Sequence, residues 1–169
     1  MKRTMGFTLI EILVVLFIVS IMSGIVVANL PRMTRTGDLD TEARRLDALL
    51  SMARQDALLE ANEYGFMPER NQYRFYVYDD MAGQWKLITE SPFQTRHLSS
   101  ELALTATVEN SPLKLEGKGK DKMPPILLLS SGETTPFHLT LSMPSANRSE
   151  TLVANGYGKF EWQQDASDK

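Results

Sequence analysis

From Gly6 to Leu30 the chain reads GFTLIEILVVLFIVSIMSGIVVANL, a nearly unbroken apolar run that holds one acid, Glu11, and follows two cations, Lys2 and Arg3. Length decides what such a run can be. The 24 residues from Phe7 to Leu30 span roughly 36 Å as an α-helix at about 1.5 Å per residue, more than the ~30 Å of bilayer hydrocarbon. Segment 7–30 is therefore predicted to cross a membrane. A carboxylate at the centre of a membrane helix costs about 2.5–3.5 kcal/mol. Glu11, near the start of the run, thus belongs at an interface or opposite a partner. Lys2 and Arg3 favour a cytoplasmic N-terminus, while Arg32 and Arg35 beyond the span weaken the asymmetry.

A secretory signal peptide is the rival reading, since a basic start and an apolar core are its marks and Val26 and Ala28 have the relative spacing of a cleavage site. Three features oppose it. The run is longer than a usual signal core of about 7–15 residues, Glu11 lies inside it, and no A-x-A follows.

Beyond Leu30 lie 139 residues, Pro31 to Lys169, enough for one domain with a core. The whole chain carries −3; two of its 18 cations and one of its 21 acids precede Pro31, leaving −4 on the remainder. A mildly acidic domain argues against a broad nucleic-acid surface, which shows itself as a basic face. With no cysteine in the chain, disulfides, thiol catalysis and cysteine-built zinc sites are excluded, so stability must come from packing and assembly.

Pro31 is expected to kink the helix or mark its exit, with Arg32 to Thr36 a polar neck and Gly37 a second soft point. Leu39, Ala43, Leu46, Leu50, Ala53 and Ala57 then recur at spacings of four and three, predicting an amphipathic helix over about 39–63. Asp38 or Asp40 is its candidate cap, and Asn62, Gly65 and Pro68 its stop. The apolar face is expected to pack on a sheet of its own domain, with Ala53 and Ala57 as an alternative partner-binding sector.

Strand signals follow. Gln72 to Tyr78 alternates, Asp79 to Gly83 supplies turn chemistry, and Gln84 to Thr89 completes a hairpin, with a short strand around Met67 before it. Ser91 to Ser100 reads as a loop and Leu102 to Val108 as a strand. Glu116 to Pro125 mixes Gly, Lys and Pro and reads as an exposed loop. Ile126–Leu129, Phe137–Ser142, Thr151–Ala154 and Lys159–Trp162 are further short strands, giving about seven in all. The plan is α+β: a long N-terminal helix, transmembrane and then amphipathic, packed on antiparallel β-sheet.

No enzyme signature, cofactor site or metal site emerges. His97 and His138 lack ligand-type neighbours, and Asp79-Asp80 reads as a turn rather than a calcium site. Gly117-x-Gly119 has no phosphate-binding context, and Ser130 and Ser131 lack a nucleophile elbow. The aromatics Tyr73, Phe75, Tyr76, Tyr78 and Trp85 offer stacking surface for bases or sugars. Alternation instead sends Tyr73, Phe75 and Val77 to one face and Arg74, Tyr76 and Tyr78 to the other. Lys118, Lys120 and Lys122 are a charge run, either solvated or touching an acidic partner.

The block Gly6-Phe7-Thr8-Leu9-Ile10-Glu11 resembles the prepilin processing motif of type IV pilins and of the pseudopilins of type II secretion. ILLLSSGETTPFHLTL at 126–141, LVANGYGKFEW at 152–162 and the helix holding Met52-Ala53-Arg54 are similar to the H class of minor pseudopilins. This resemblance implies a type IV pilin-like fold and a division into a leader at 1–6, a membrane and filament-core helix at 7–30, and a periplasmic domain at 31–169. It implies cleavage after Gly6 by an inner-membrane prepilin peptidase and N-methylation of Phe7. It also implies a role for Glu11 in assembly.

A carboxylate at 11 has two available partners after such a cleavage. One is the cationic α-amine of a neighbouring subunit, where each charge alone would be costly in lipid; the other is the amine and dipole of its own helix, about 0.3–1 kcal/mol when exposed. The resemblance further implies a single-pass protein of the bacterial inner membrane, held in membrane lipid with its N-terminus in the cytoplasm. It would assemble with other minor pseudopilins and the major pseudopilin into a periplasmic pseudopilus, near the tip, supported by the inner-membrane secretion platform. No small-molecule substrate and no nucleic acid is expected. The alternative is a type IV minor pilin that binds DNA for uptake, for which only the Lys118 to Lys122 run speaks.

Overall fold

The structure is a computed structural model and describes residues 9–109, 111–113 and 123–164, with the backbone alone for 24–37 and 164. The chain divides into two compact units, Met1–Asp38 and Leu39–Lys169.

Helix α1 runs from Leu9 to Glu60. Its backbone stays helical through Pro31 and Gly37, so the helix does not exit at Pro31 and no non-helical neck follows, and Asp38 and Asp40 lie within the helix rather than capping it. A proline removes one amide donor and crowds the turn before it; the hydrogen bonds on either side remain available to continue the helix. In the second unit, the spacing of four and three buries the predicted face: Leu39, Leu50, Ala53 and Ala57 are fully covered, with Leu46 and Ala43 nearly so. Ala53 and Ala57 are thereby spent on the domain's own core, which removes them as a partner-binding sector. The helix stops earlier than its expected end at 63. Ala61 turns into the left-handed region at φ 52°, and the Asn62 N–H donates to the Ala57 carbonyl at 3.2 Å, closing the last turn.

Ten strands follow among the described residues, in two antiparallel sheets. The first sheet holds β1 (Tyr64–Glu69), β2 (Gln72–Asp79), β3 (Gln84–Leu87), β4 (Arg96–His97) and β7 (Ile126–Leu128), in the order β3-β2-β1-β7 with β4 also beside β2. The second holds β5 (Ala103–Val108), β6 (Ser111–Pro112), β8 (Phe137–Met143), β9 (Arg148–Ala154) and β10 (Glu161–Gln164), ordered β10-β9-β8-β5-β6. The inward residues Tyr73 and Phe75 of β2, and Phe137, Leu139, Leu141 and Met143 of β8, join the helix face in one buried cluster. Full burial of each large side chain contributes about 1.5–3 kcal/mol.

Gly65 and Pro68, expected as helix stops, are strand residues. At Gly65 a Cβ would lie 2.4 Å from Cγ of Pro124 and 3.0 Å from the Trp85 ring, so only glycine admits both neighbours. Pro68 is tolerated by parity. Tyr78 N–H donates to the Glu63 carbonyl, which places the inter-strand hydrogen bonds at Gly65, Met67 and Glu69 and turns the Pro68 nitrogen away from β2. On that side β7 reaches only as far as Phe66, so no ladder bond is lost.

Candidate functional site

Gly6 and Phe7, the expected processing pair, lie outside the described residues, while Glu11 sits in the first turn of α1 and is exposed. Around it the side chains of 9–23 are exposed on every side of the helix: Leu9 at 84%, Ile10 at 69%, Phe17 at 64% and Met22 at 63%. A helix apolar all round has no water-facing side and calls for an apolar surrounding. Ser20, a polar residue further along, donates its hydroxyl to the Leu16 carbonyl at 2.8 Å, which hides its own polarity within the helix. Among the described residues no helix is long and apolar enough to cross a membrane. The described side chains of this stretch end at Ser23, short of Leu30, where the expected span closes.

The second unit carries a different kind of acid. Glu42 is 5% exposed. Its carboxylate accepts from the Tyr73 hydroxyl at 2.8 Å, from Arg45 Nη1 at 3.0 Å and from Arg96 Nη2 at 3.2 Å, so it ties α1 to β2 and β4. Burial, and then the charge of Glu42 with the hydrogen bond to it, push the Tyr73 hydroxyl far above its ordinary value and keep it a donor. The hydrogen bond to Glu42 likewise raises Arg96. The sequence signal for this cluster was available: position 42 falls three after Leu39 and four before Leu46, on the buried stripe, where an acid requires partners.

The other candidate residues separate. His97 is exposed on β4 and His138 on β8, in different sheets. Among the described residues no group of three His, Asp or Glu gathers that would hold a metal ion. Asp79 serves the β2–β3 turn, its Oδ1 accepting from the Ala82 N–H at 3.0 Å. Ser130 donates to Glu63 Oε1 at 2.8 Å, tying the segment after β7 to the residue before β1, and Ser131 Oγ accepts from the Glu133 N–H within a turn. Tyr73 and Phe75 are core; Tyr76, Tyr78 and Trp85 share the outer face, with Tyr78 and Trp85 meeting edge to face at 5.3 Å rather than as a flat stacking platform. Lys118, Lys120, Lys122 and the Gly117-x-Gly119 pair lie outside the described residues.

The geometry thus presents a bare apolar helix bearing Glu11, and a sheet domain in which, among the described residues, the candidate histidines and serines stand apart and no metal-type cluster forms. Residues 42–158, over two thirds of the chain, match the family described as type II transport protein GspH. The chain belongs to the GspH family. Residues 1–27 match a second family, the prokaryotic N-terminal methylation motif. Type II secretion system protein H of Pseudomonas aeruginosa is 35% identical over 166 residues, covering 93% of this chain and 94% of that protein. The protein of the same name from Pectobacterium carotovorum is 27% identical over 174 residues, covering 94% and 92%.

Among solved structures, the minor pseudopilin EpsH from the type 2 secretion system of Vibrio cholerae aligns with a TM-score of 0.64 at 18% identity, covering 78% of this chain and 99% of that one. The solution structure of Escherichia coli GspH aligns at 0.58 and 19%, covering 83% and 96%. These two support the pilin-like fold. GspH is a structural pseudopilin of type II secretion and not an enzyme, as the H-class resemblance implied.

Proposed function

We propose that this GspH protein is a minor pseudopilin near the tip of a periplasmic pseudopilus, where it links the tip subunits to the major pseudopilin and supports export of folded proteins across the outer membrane. The observation that carries this is the coexistence, on one chain, of the methylation motif over 1–27 and the GspH match over 42–158. The segment joining them is part of a helix whose described early side chains are all exposed and mostly apolar.

On this reading the precursor sits once across the inner membrane, N-terminus in the cytoplasm. A prepilin peptidase cuts between Gly6 and Phe7, and the new amine of Phe7 is methylated and remains cationic. Segment 7–30 then leaves lipid for the core of the filament, exchanging one apolar surrounding for another at little hydrophobic cost. Glu11 pairs with the amine of the neighbouring subunit and fixes the register, because an uncompensated charge is costly in either surrounding. A cytoplasmic ATPase, acting through the inner-membrane secretion platform, drives the addition of subunits.

Mass spectrometry of the protein purified from its own membrane tests the reading. A mature N-terminus at N-methyl-Phe7 is expected. A start at Asn29, as signal-peptide cleavage after Ala28 would leave, overturns it.

A further inference from the structure

Where α1 enters the second unit it is fastened to the second sheet by three charged residues. Arg148 on β9 donates from a single nitrogen, Nη2, to Asp40 Oδ1 on α1 at 2.9 Å and to Glu150 Oε1 on its own strand at 3.4 Å. Two acids from distant parts of the chain thus crowd one guanidinium corner. The Glu150 side chain is 16% exposed and that of Asp40 38%. Together with Arg44, Trp162 and Gln163 they line a cavity of about 360 Å³.

Among the described residues, the charges facing this corner are Asp40 and Arg44 from α1 and Arg148 and Glu150 from β9, while β10 brings the neutral Trp162 and Gln163. Two like charges gathered on one guanidinium nitrogen favour protonation of the more buried of them, Glu150. We propose that Asp40, Arg148 and Glu150 form a proton-dependent clasp between α1 and β9, tightened when Glu150 carries a proton. Burial, followed by the hydrogen bond and charge of Asp40, holds the Glu150 carboxyl above its ordinary value of 4.5, against the opposing pull of Arg148 and Arg44.

The direction of the pH effect follows. Glu150 keeps its proton in the folded chain at a pH where the unfolded chain has released it. The stabilisation is therefore complete below the ordinary glutamate range and is lost as pH rises through the raised value. The clasp is independent of the assembly reading, since it concerns the seam within the domain.

Thermal unfolding of the full chain in detergent micelles, from about pH 4.5 to about pH 7.5, tests it against Glu150→Gln and Asp40→Asn. Groups common to all three chains cancel in the differences. Wild type is expected to lose a few degrees of midpoint relative to Glu150→Gln across that range, and Asp40→Asn to reduce that loss without abolishing it, because the burial of Glu150 remains. Parallel profiles for the three chains overturn the clasp. Should a variant fail to fold, the carboxyl carbon resonance of Glu150 in the labelled wild-type chain decides. Titration above the ordinary glutamate value supports the clasp, and titration at or below it overturns it.

Discussion

The two described parts of α1 solve the same hydrophobic problem in opposite ways. From Leu9 to Met22 the apolar side chains surround the helix and stay exposed; from Leu39 to Ala57 a stripe at spacings of four and three is buried against the domain's own sheets, with Met52 left exposed outside it. The acids differ in the same sense. Glu42 is surrounded by Tyr73, Arg45 and Arg96 within its own chain, whereas Glu11 is exposed in the first turn. A helix that covers its own apolar face needs no one else, and a helix that leaves every face bare needs lipid or neighbouring subunits. One half holds the domain together and the other is free to be shared.

Substitutions that break this division are ranked by what they expose. Leu46→Ala removes a core side chain and leaves a cavity, with an expected loss of about 2–5 kcal/mol in denaturant unfolding of the domain. Gly65→Ala drives a methyl into the Pro124 ring, an overpacking cost of about 1–3 kcal/mol. Glu42→Ala leaves the buried Tyr73 hydroxyl without its acceptor, about 1–3 kcal/mol; its arginine partners are near half exposed and recover water, which keeps the loss below that of a fully buried ion pair. Val14→Ala, at a site 48% exposed, is expected to leave domain unfolding unchanged within about 0.5 kcal/mol. A loss at Val14 comparable to that at Leu46 would mean that the first half of the helix also serves the domain.

Much of this was legible in the residues because periodicity is a property of the chain itself. The spacing from Leu39 to Ala57 named the buried helix face, and alternation separated Tyr73 and Phe75 from Tyr76 and Tyr78. What was hidden depends on neighbours distant in sequence. The two-residue strands β4 and β6 are too short to carry a pattern and exist only because β2 and β5 offer an edge. β9 begins at Arg148 rather than Thr151, because its polar first residues pair with Ser142 and Met143 on β8. Gly65 and Pro68 look like helix stops in isolation; their real reasons, the Pro124 ring and the shortness of β7, lie in a distant part of the chain. For the proposed assembly site, the residues Gly6, Phe7 and Glu11 stand in a methylation-motif match over 1–27, whereas the Glu42 cluster was missed although its acid stood on the apolar stripe.

The division of labour along α1 is tested most directly by Glu11→Ala, measured in one preparation for domain unfolding and for cysteine crosslinking to the other pseudopilins in the membrane. The expected result is an unfolding curve that overlays the wild type, together with loss of the crosslinks. Crosslinking at the wild-type level, with secretion intact, would contradict the assignment of Glu11 to assembly.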